Sequence, residues 1–216
     1  MEKLDFTFCA LDLDISDVEI TSMLKEIKTV KEDFWYKDNF RGCYILPLIN
    51  GGGTTGAPPK GVMRDEGNMV YTEAIKNCNL IEDVILQKIF PFMGMKTRVS
   101  VLRTKKDHGL NVHVDSGKHR LNTIQHKFRI VLNGEIDKLF FLDENNEKIF
   151  APNDYNSYVL DGTHPHAIDP GKEEKITICF GTPWTGNETV EYNKLIQQSP
   201  HKFKINKPKI LDEWIK

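Results

Sequence analysis

Leu110-Asn-Val-His-Val-Asp115 alternates apolar and polar side chains and ends on an imidazole and a carboxylate one residue apart. Period-two alternation marks a half-buried strand, and residues i and i+2 of a strand share a face. His113 and Asp115 therefore aim together at one interior, while Val112 and Val114 face the other layer. Short β-type runs surround this stretch: Arg98–Arg103, Lys127–Leu132, Lys138–Leu142, Tyr155–Leu160 and Lys175–Phe180, separated by Gly, Asn, Asp and Pro. Upstream, residues 4–13 read as an edge strand and Cys43–Ile49 as a short buried one. Ser16-Asp-Val-Glu19 forms a capping box, and Ile20, Met23, Leu24, Ile27 and Val30 follow at helical spacing, so a helix is predicted over 17–31. Asn79-Leu-Ile-Glu82 signals a second helix, which Pro91 is expected to end. Helices followed by six or more short strands predict a mainly β (α+β) fold, a sandwich or jelly roll with helices packed on one outer face.

The bulk properties narrow the possibilities. At 216 residues, 39% hydrophobic and 28% charged, the chain is expected to form one soluble globular domain. Within it, 1–94 form an N-terminal helical and strand elaboration, 95–182 the core and 183–216 a C-terminal extension. The net charge of −2, with both signs interspersed, does not favour nucleic acid as a partner. Cys9, Cys43, Cys78 and Cys179 are far apart and form no C-x-x-C pair, so they read as reduced thiols of a cytoplasmic protein. The acidic N-terminal stretch carries no long apolar run, which argues against a signal peptide or membrane anchor.

The chemistry sits in the histidines. A second histidine-rich turn, Gly162-Thr-His-Pro-His166, follows about fifty residues after Asp115. Two imidazoles and one carboxylate suit a mononuclear non-haem Fe(II) site with open positions for a co-substrate and O2. A closed structural zinc site would ordinarily use four ligands, often cysteines. An H-x-D triplet is common by chance; the ordered strands and the later histidine give this one its weight. His166, at the step Ala167-Ile168 back into a strand, is favoured over His164, which lies in the turn before Pro165. His108, His119, His126 and His201 read as loop or surface residues. Lys175 and Thr177 share a strand face, where a cation and a hydroxyl can grip a distant carboxylate; the alternative is a solvated strand-start lysine. Arg129 interrupts an apolar run and needs an anionic partner, either the carboxylate of a bound oxo-acid or an Asp or Glu at the surface. Arg98 and Arg103 are read as outward-facing. Gly51–Gly61 is a Gly/Pro loop without the G-K-[ST] ending of a phosphate loop.

These residues together resemble the 2-oxoglutarate/Fe(II)-dependent dioxygenases, over roughly 95–182, and most nearly the aspartyl/asparaginyl and prolyl hydroxylase-like branch. The carrying motifs are Gly109-Leu-Asn-Val-His-Val-Asp115, Phe128-Arg-Ile-Val-Leu132, Tyr158-Val-Leu-Asp-Gly-Thr-His-Pro-His166 and Lys175-Ile-Thr177. The resemblance implies a double-stranded β-helix, a cupin-like jelly roll. It implies Fe(II) on His113, Asp115 and His166, with 2-oxoglutarate and O2 as co-substrates. Lys175 and Thr177 would hold the distal carboxylate of 2-oxoglutarate, with Arg129 assisting. Many relatives carry Arg where this chain has Lys175, and animal aspartyl β-hydroxylases lack the carboxylate that Asp115 supplies. The implied activity is hydroxylation of an unactivated C–H bond, releasing succinate and CO2. The substrate would be a peptidyl or free amino acid of the Asp, Asn or Pro type. The alternatives are an oxygenase of another small molecule or nucleobase, and a non-enzymatic cupin-like metal-binding protein. Substrate contacts are expected from Gly51–Gly61, Ser116–Gln125 and the segment after Trp184. The lysine-rich tail His201–Lys216 is expected either to pack back as an arm or to mediate a homodimer.

Overall fold

The computed structural model describes residues 5–51, 68–93, 97–115, 125–183, 189–199 and 201–215. Of the loops expected at 51–61 and 116–125, residues 52–61 and 116–124, with His119, lie outside them, as do residues 184–188, while Gly51 and Gln125 belong to strands. Strands in chain order are β1 (Phe8–Leu11), β2 (Tyr36–Asp38), β3 (Cys43–Gly51), β4 (Met69–Tyr71), β5 (Arg98–Thr104), β6 (Leu110–His113), β7 (Gln125–Asn133), β8 (Leu139–Leu142), β9 (Lys148–Phe150), β10 (Ser157–Asp161), β11 (His166–Ile168), β12 (Lys175–Pro183) and β13 (Lys202–Phe203). Helices are α1 (Asp17–Thr29), α2 (Asn79–Val84), α3 (Phe90–Met93) and α4 (Val190–Gln198).

From β5 onward the strands are shared between two sheets. The large sheet carries the antiparallel order β10-β7-β12-β5 and the small one β6-β11-β8-β9. This is a double-stranded β-helix. The large sheet is extended by β3 and β2 on one side and by β1 and β13 on the other. The stretch predicted as an edge strand is therefore flanked on both sides, because Lys202–Phe203 adds a short strand against Phe8 and Cys9.

The large sheet buries both faces, and period-two alternation sorts them by chemistry. Phe128, Ile130, Ile178 and Phe180 point outward into one cluster with Met23 and Ile27 of α1 and Ile81 and Ile85 of the second helical segment. Each such side chain contributes roughly 1.5–3 kcal/mol by leaving water. The helices do cover one outer face. The concave face takes the polar members of the same strands: Arg129 on β7 and Lys175, Thr177 and Cys179 on β12.

Two local readings hold and one does not. The capping box at Ser16 is complete, with the hydroxyl accepting from Glu19 N and the Glu19 carboxylate accepting from Ser16 N at 2.8 Å. The second helix starts at Asn79 without a side-chain cap of its own. Instead the Glu26 carboxylate, reaching from α1, accepts from Leu80 N at 2.8 Å and Ile81 N at 3.1 Å, which satisfies two of the orphan donors of that helix start. Pro91 does not end the helix, which runs on to Met93. A π turn over Ile85–Ile89, closed by Phe90 N–H on the Ile85 carbonyl, precedes it. The widened ladder accommodates a ring that has no N–H to donate.

Candidate metal centre

His113 ends β6, an edge strand of the small sheet, and is held in register with His166 of β11 across the ladder. Between His113/His166 and Leu110/Ile168 the register slips, three residues on β6 spanning two on β11. A bulge of this kind re-aims a side chain, and here it lies beside the H-x-D triplet. The strands also approach closely at Gly109, where a Cβ would sit 2.2 Å from the Ile168 carbonyl oxygen. The free edge of β6 meets the β2–β3 turn: Asn111 N donates to Arg41 O at 3.2 Å and Asn111 Nδ2 to Phe40 O at 2.9 Å. Asp38 organises that turn by accepting from Phe40 N and Arg41 N. Gly42 completes it at φ 80°, in the left-handed region.

The three predicted residues meet. One ligand atom from each of His113, Asp115 and His166 lies within 4.8 Å of the others. His113 Nε2 is 3.7 Å from Asp115 Oδ1, and His166 Nε2 is 3.8 Å from Asp115 Oδ2. Each imidazole is oriented from behind: His113 Nδ1 bonds Asn111 O at 2.7 Å and His166 Nδ1 bonds His164 O at 2.8 Å. A carbonyl only accepts, so Nδ1 carries the hydrogen and the Nε2 lone pair faces the carboxylate. Desolvation pushes both imidazole pKa values below the ordinary histidine value, with the Arg41 cation adding to the effect at His113, so both rings are neutral near pH 7. Burial alone would raise the Asp115 carboxyl, but the cations of Arg41, Lys127 and Arg129 outweigh it and hold the group well below the usual carboxylate range. Two neutral imidazoles and an ionised carboxylate are a donor set that fits a divalent first-row metal.

His164 stands apart. Its Nε2 bonds the Leu142 carbonyl at 2.7 Å, and burial lowers its pKa to about 4. It is a packed turn residue, 5.8 Å from the Phe141 ring. His108 is exposed and bonds Lys106 O, while the partly exposed His201 sits 3.5 Å from Asp154.

The triad opens into a narrow cleft, partly open to solvent, whose lining also includes Lys175, Thr177 and Arg129. Lys175 is not a solvated lysine. It is 6% exposed, donates from Nζ to the Glu135 carbonyl at 2.8 Å, and has its pKa pulled down to about 8, chiefly by desolvation. Arg129 pairs with an aspartate, but inside the barrel: its Nη2 lies 3.2 Å from Asp115 Oδ2.

Arg98 corrects the sequence reading. It lines the cleft, whereas Arg103 faces away, bonding both carboxylate oxygens of Glu32 at 2.7 Å and lying over the Trp35 ring. An odd separation within one strand places two residues on opposite faces, so both could not point outward. Arg41 was not anticipated at all. Its Nη2 donates to Asp115 Oδ1 at 3.0 Å and its Nη1 to Asp38 Oδ2 at 3.3 Å. The docking of the Asp38–Gly42 turn against β6 has no local signal in the sequence.

No protein-family profile matches the sequence, and no curated protein matches it. Solved structures do match in three dimensions. A prolyl hydroxylase from Trichoplax adhaerens, solved with a hypoxia inducible factor oxygen degradation domain peptide fragment, superposes with a TM-score of 0.51 at 14% identity, over 83% of this chain and 84% of that one. A prolyl-4-hydroxylase from Pseudomonas putida gives a TM-score of 0.50 at 12% identity, over 84% of this chain and 95% of that one.

Proposed function

From this shared hydroxylase fold, we propose that the chain is an Fe(II)- and 2-oxoglutarate-dependent dioxygenase. It would insert hydroxyl into an unactivated C–H bond, consuming 2-oxoglutarate and O2 and releasing succinate and CO2. The observation that carries the reading is the convergence of His113, Asp115 and His166 at the head of a cleft that also holds Lys175 and Thr177. His113 Nε2, His166 Nε2 and an Asp115 oxygen would hold the iron, leaving positions for co-substrate. Bound iron supplies O2 activation coupled to decarboxylation of the oxo-acid.

The chain's own residues bind and orient. Lys175, with Thr177 beside it on β12, offers a buried cation and a hydroxyl to the distal carboxylate of 2-oxoglutarate. Arg41 and Arg129 engage opposite oxygens of Asp115 and keep it ionised. Arg129 also borders the cleft, where it can meet a carboxylate of the co-substrate. Ile45, Leu102, Leu139 and Leu160 line the walls and limit water. A peptidyl or free amino acid of the Asp, Asn or Pro type is the proposed substrate. The peptide held by the Trichoplax hydroxylase supports the peptidyl form. The four cysteines are buried and form no disulfide among the described residues, which fits a reducing compartment such as the cytoplasm. Among the described residues, no helix is long and apolar enough to cross a membrane.

The test is succinate formation from 2-oxoglutarate, followed by NMR with and without Fe(II). Wild-type protein is expected to turn over slowly even without substrate, and His113→Ala is expected to abolish that turnover. Equal turnover in the two proteins would overturn the assignment.

A further inference from the structure

The segment 201–215 touches the outside of both chain stretches that carry the triad. Its first part is a strand addition: β13 pairs with β1, Thr7 N donates to Phe203 O at 2.8 Å, and Ile205 N donates to Thr7 Oγ1 at 3.1 Å. Lys207 then reaches the turn before His166. Its Nζ is 2.9 Å from Asp161 Oδ2 and also bonds Thr163 Oγ1. Asp161 organises that turn, accepting from Thr163 N at 2.9 Å through its side chain and from His164 N at 3.0 Å through its carbonyl. Gly162 O in turn accepts from Asp115 N at 2.7 Å.

The last part meets the H-x-D triplet itself. Val114, between the two ligands, donates its N–H to Trp214 O at 2.9 Å and forms a parallel bridge with Ile215. The Trp214 side chain packs against the cluster of Phe140, Leu142 and Ala167, which Val112 also joins. Val112 and Ala167 are the chain neighbours of His113 and His166, so the indole presses on the back of both ligand-bearing strands. β6 lies at a sheet edge with β11 as its only strand partner among the described residues. The outer edge of β6 meets the β2–β3 turn at Asn111, and just beyond the strand this segment meets the chain at Val114, so the segment supplies the support that lies between the two ligands.

We propose that segment 201–215 is a clamp that positions the metal ligands, with Trp214 and Lys207 as its positioning residues. The inference rests on the metal reading above. Loss of a group bonded directly to a ligand typically lowers metal affinity about 10–100-fold, and Lys207 and Trp214, which act one contact further out, are assigned the lower end of that range.

The test is Mn(II) affinity measured by loss of the free-ion EPR signal, together with hydrogen exchange at the Val114 and Asp115 amides. Trp214→Ala and Lys207→Met are each expected to weaken Mn(II) binding at least about tenfold. Trp214→Ala is also expected to speed exchange at Val114 and Asp115 while leaving β12 protected. Trp214→Phe, which keeps a ring on the cluster, is expected to restore most of the affinity. Should Trp214→Ala fail to fold, Lys207→Met decides. Wild-type affinity in Trp214→Ala and Lys207→Met, with binding lost in His113→Ala, would sink the clamp and leave the triad standing. Wild-type affinity in His113→Ala would overturn the metal reading and the clamp with it.

Discussion

Lys175→Met should make the protein more stable and a worse binder of 2-oxoglutarate. The ammonium is buried, and desolvation draws its pKa down to about 8. Because the folded value lies below the unfolded one, about 10.4, the unfolded chain binds more protons between those limits. Stability therefore rises with pH across that window, and the full cost of burying the charge applies below pH 8. The gap corresponds to about 3 kcal/mol. Methionine keeps the length and removes the charge, at the loss of the bond to Glu135 O, worth about 1 kcal/mol. The net gain of about 2 kcal/mol at pH 7 should raise Tm by about 4–8 °C in a chain of this size. If Lys175 holds the co-substrate as proposed, the same substitution removes a charge-assisted bond worth about 1.5–3 kcal/mol, or ~10–150-fold in affinity. In the wild type the protonated amine is the binding form, so affinity should fall as pH rises above 8 and stay flat in Lys175→Met. Differential scanning calorimetry and anaerobic titration calorimetry with Mn(II) present read both effects. A variant that melts lower and binds 2-oxoglutarate like the wild type, with the same pH profile, would show that Lys175 is only structural.

The choice between the two histidines is open to direct test. His164→Leu should leave Mn(II) affinity within about threefold of wild type, since its Nε2 faces Leu142 O, whereas His166→Ala should lose at least about 100-fold; the reverse ranking would exchange their roles. Gly109→Ala drives a Cβ onto a backbone oxygen and should cost about 1–3 kcal/mol in urea unfolding, because backbone cannot rotate away. An unchanged midpoint would refute that contact. Glu26→Ala strips the two N–H groups at the start of α2 of their acceptor, with an expected loss of about 1–2 kcal/mol in the same assay; a neutral result would mean water caps that helix equally well.

The sequence carried the parts of this fold that local periodicity encodes. Strands β5, β7 and β12 alternate over seven to nine residues, long enough for the period to declare itself. The capping box before α1 is likewise a local bond pattern. Strands such as Tyr36–Asp38, Met69–Tyr71 and His166–Ile168 have three residues each, too few for a period, and are fixed by the partner they pair with. The triad was legible because the i, i+2 spacing of H-x-D turns both candidate ligands to one side even though β6 ends at His113, and the later histidine has a strand of its own. Arg41 and Trp214 were not, since each acts through a contact more than seventy residues distant in the chain. Arg98 was misread for a different reason: strand parity with Arg103 was available in the sequence and decides which face each takes.

The most direct test of the account is a crystal structure with Mn(II) and N-oxalylglycine, an inert analogue of 2-oxoglutarate. The metal is expected on His113 Nε2, His166 Nε2 and one Asp115 oxygen, with His164 still on Leu142 O and the distal carboxylate of the analogue on Lys175 and Thr177. A metal bound elsewhere, or an analogue whose distal carboxylate turns away from Lys175 toward Arg98, would contradict it.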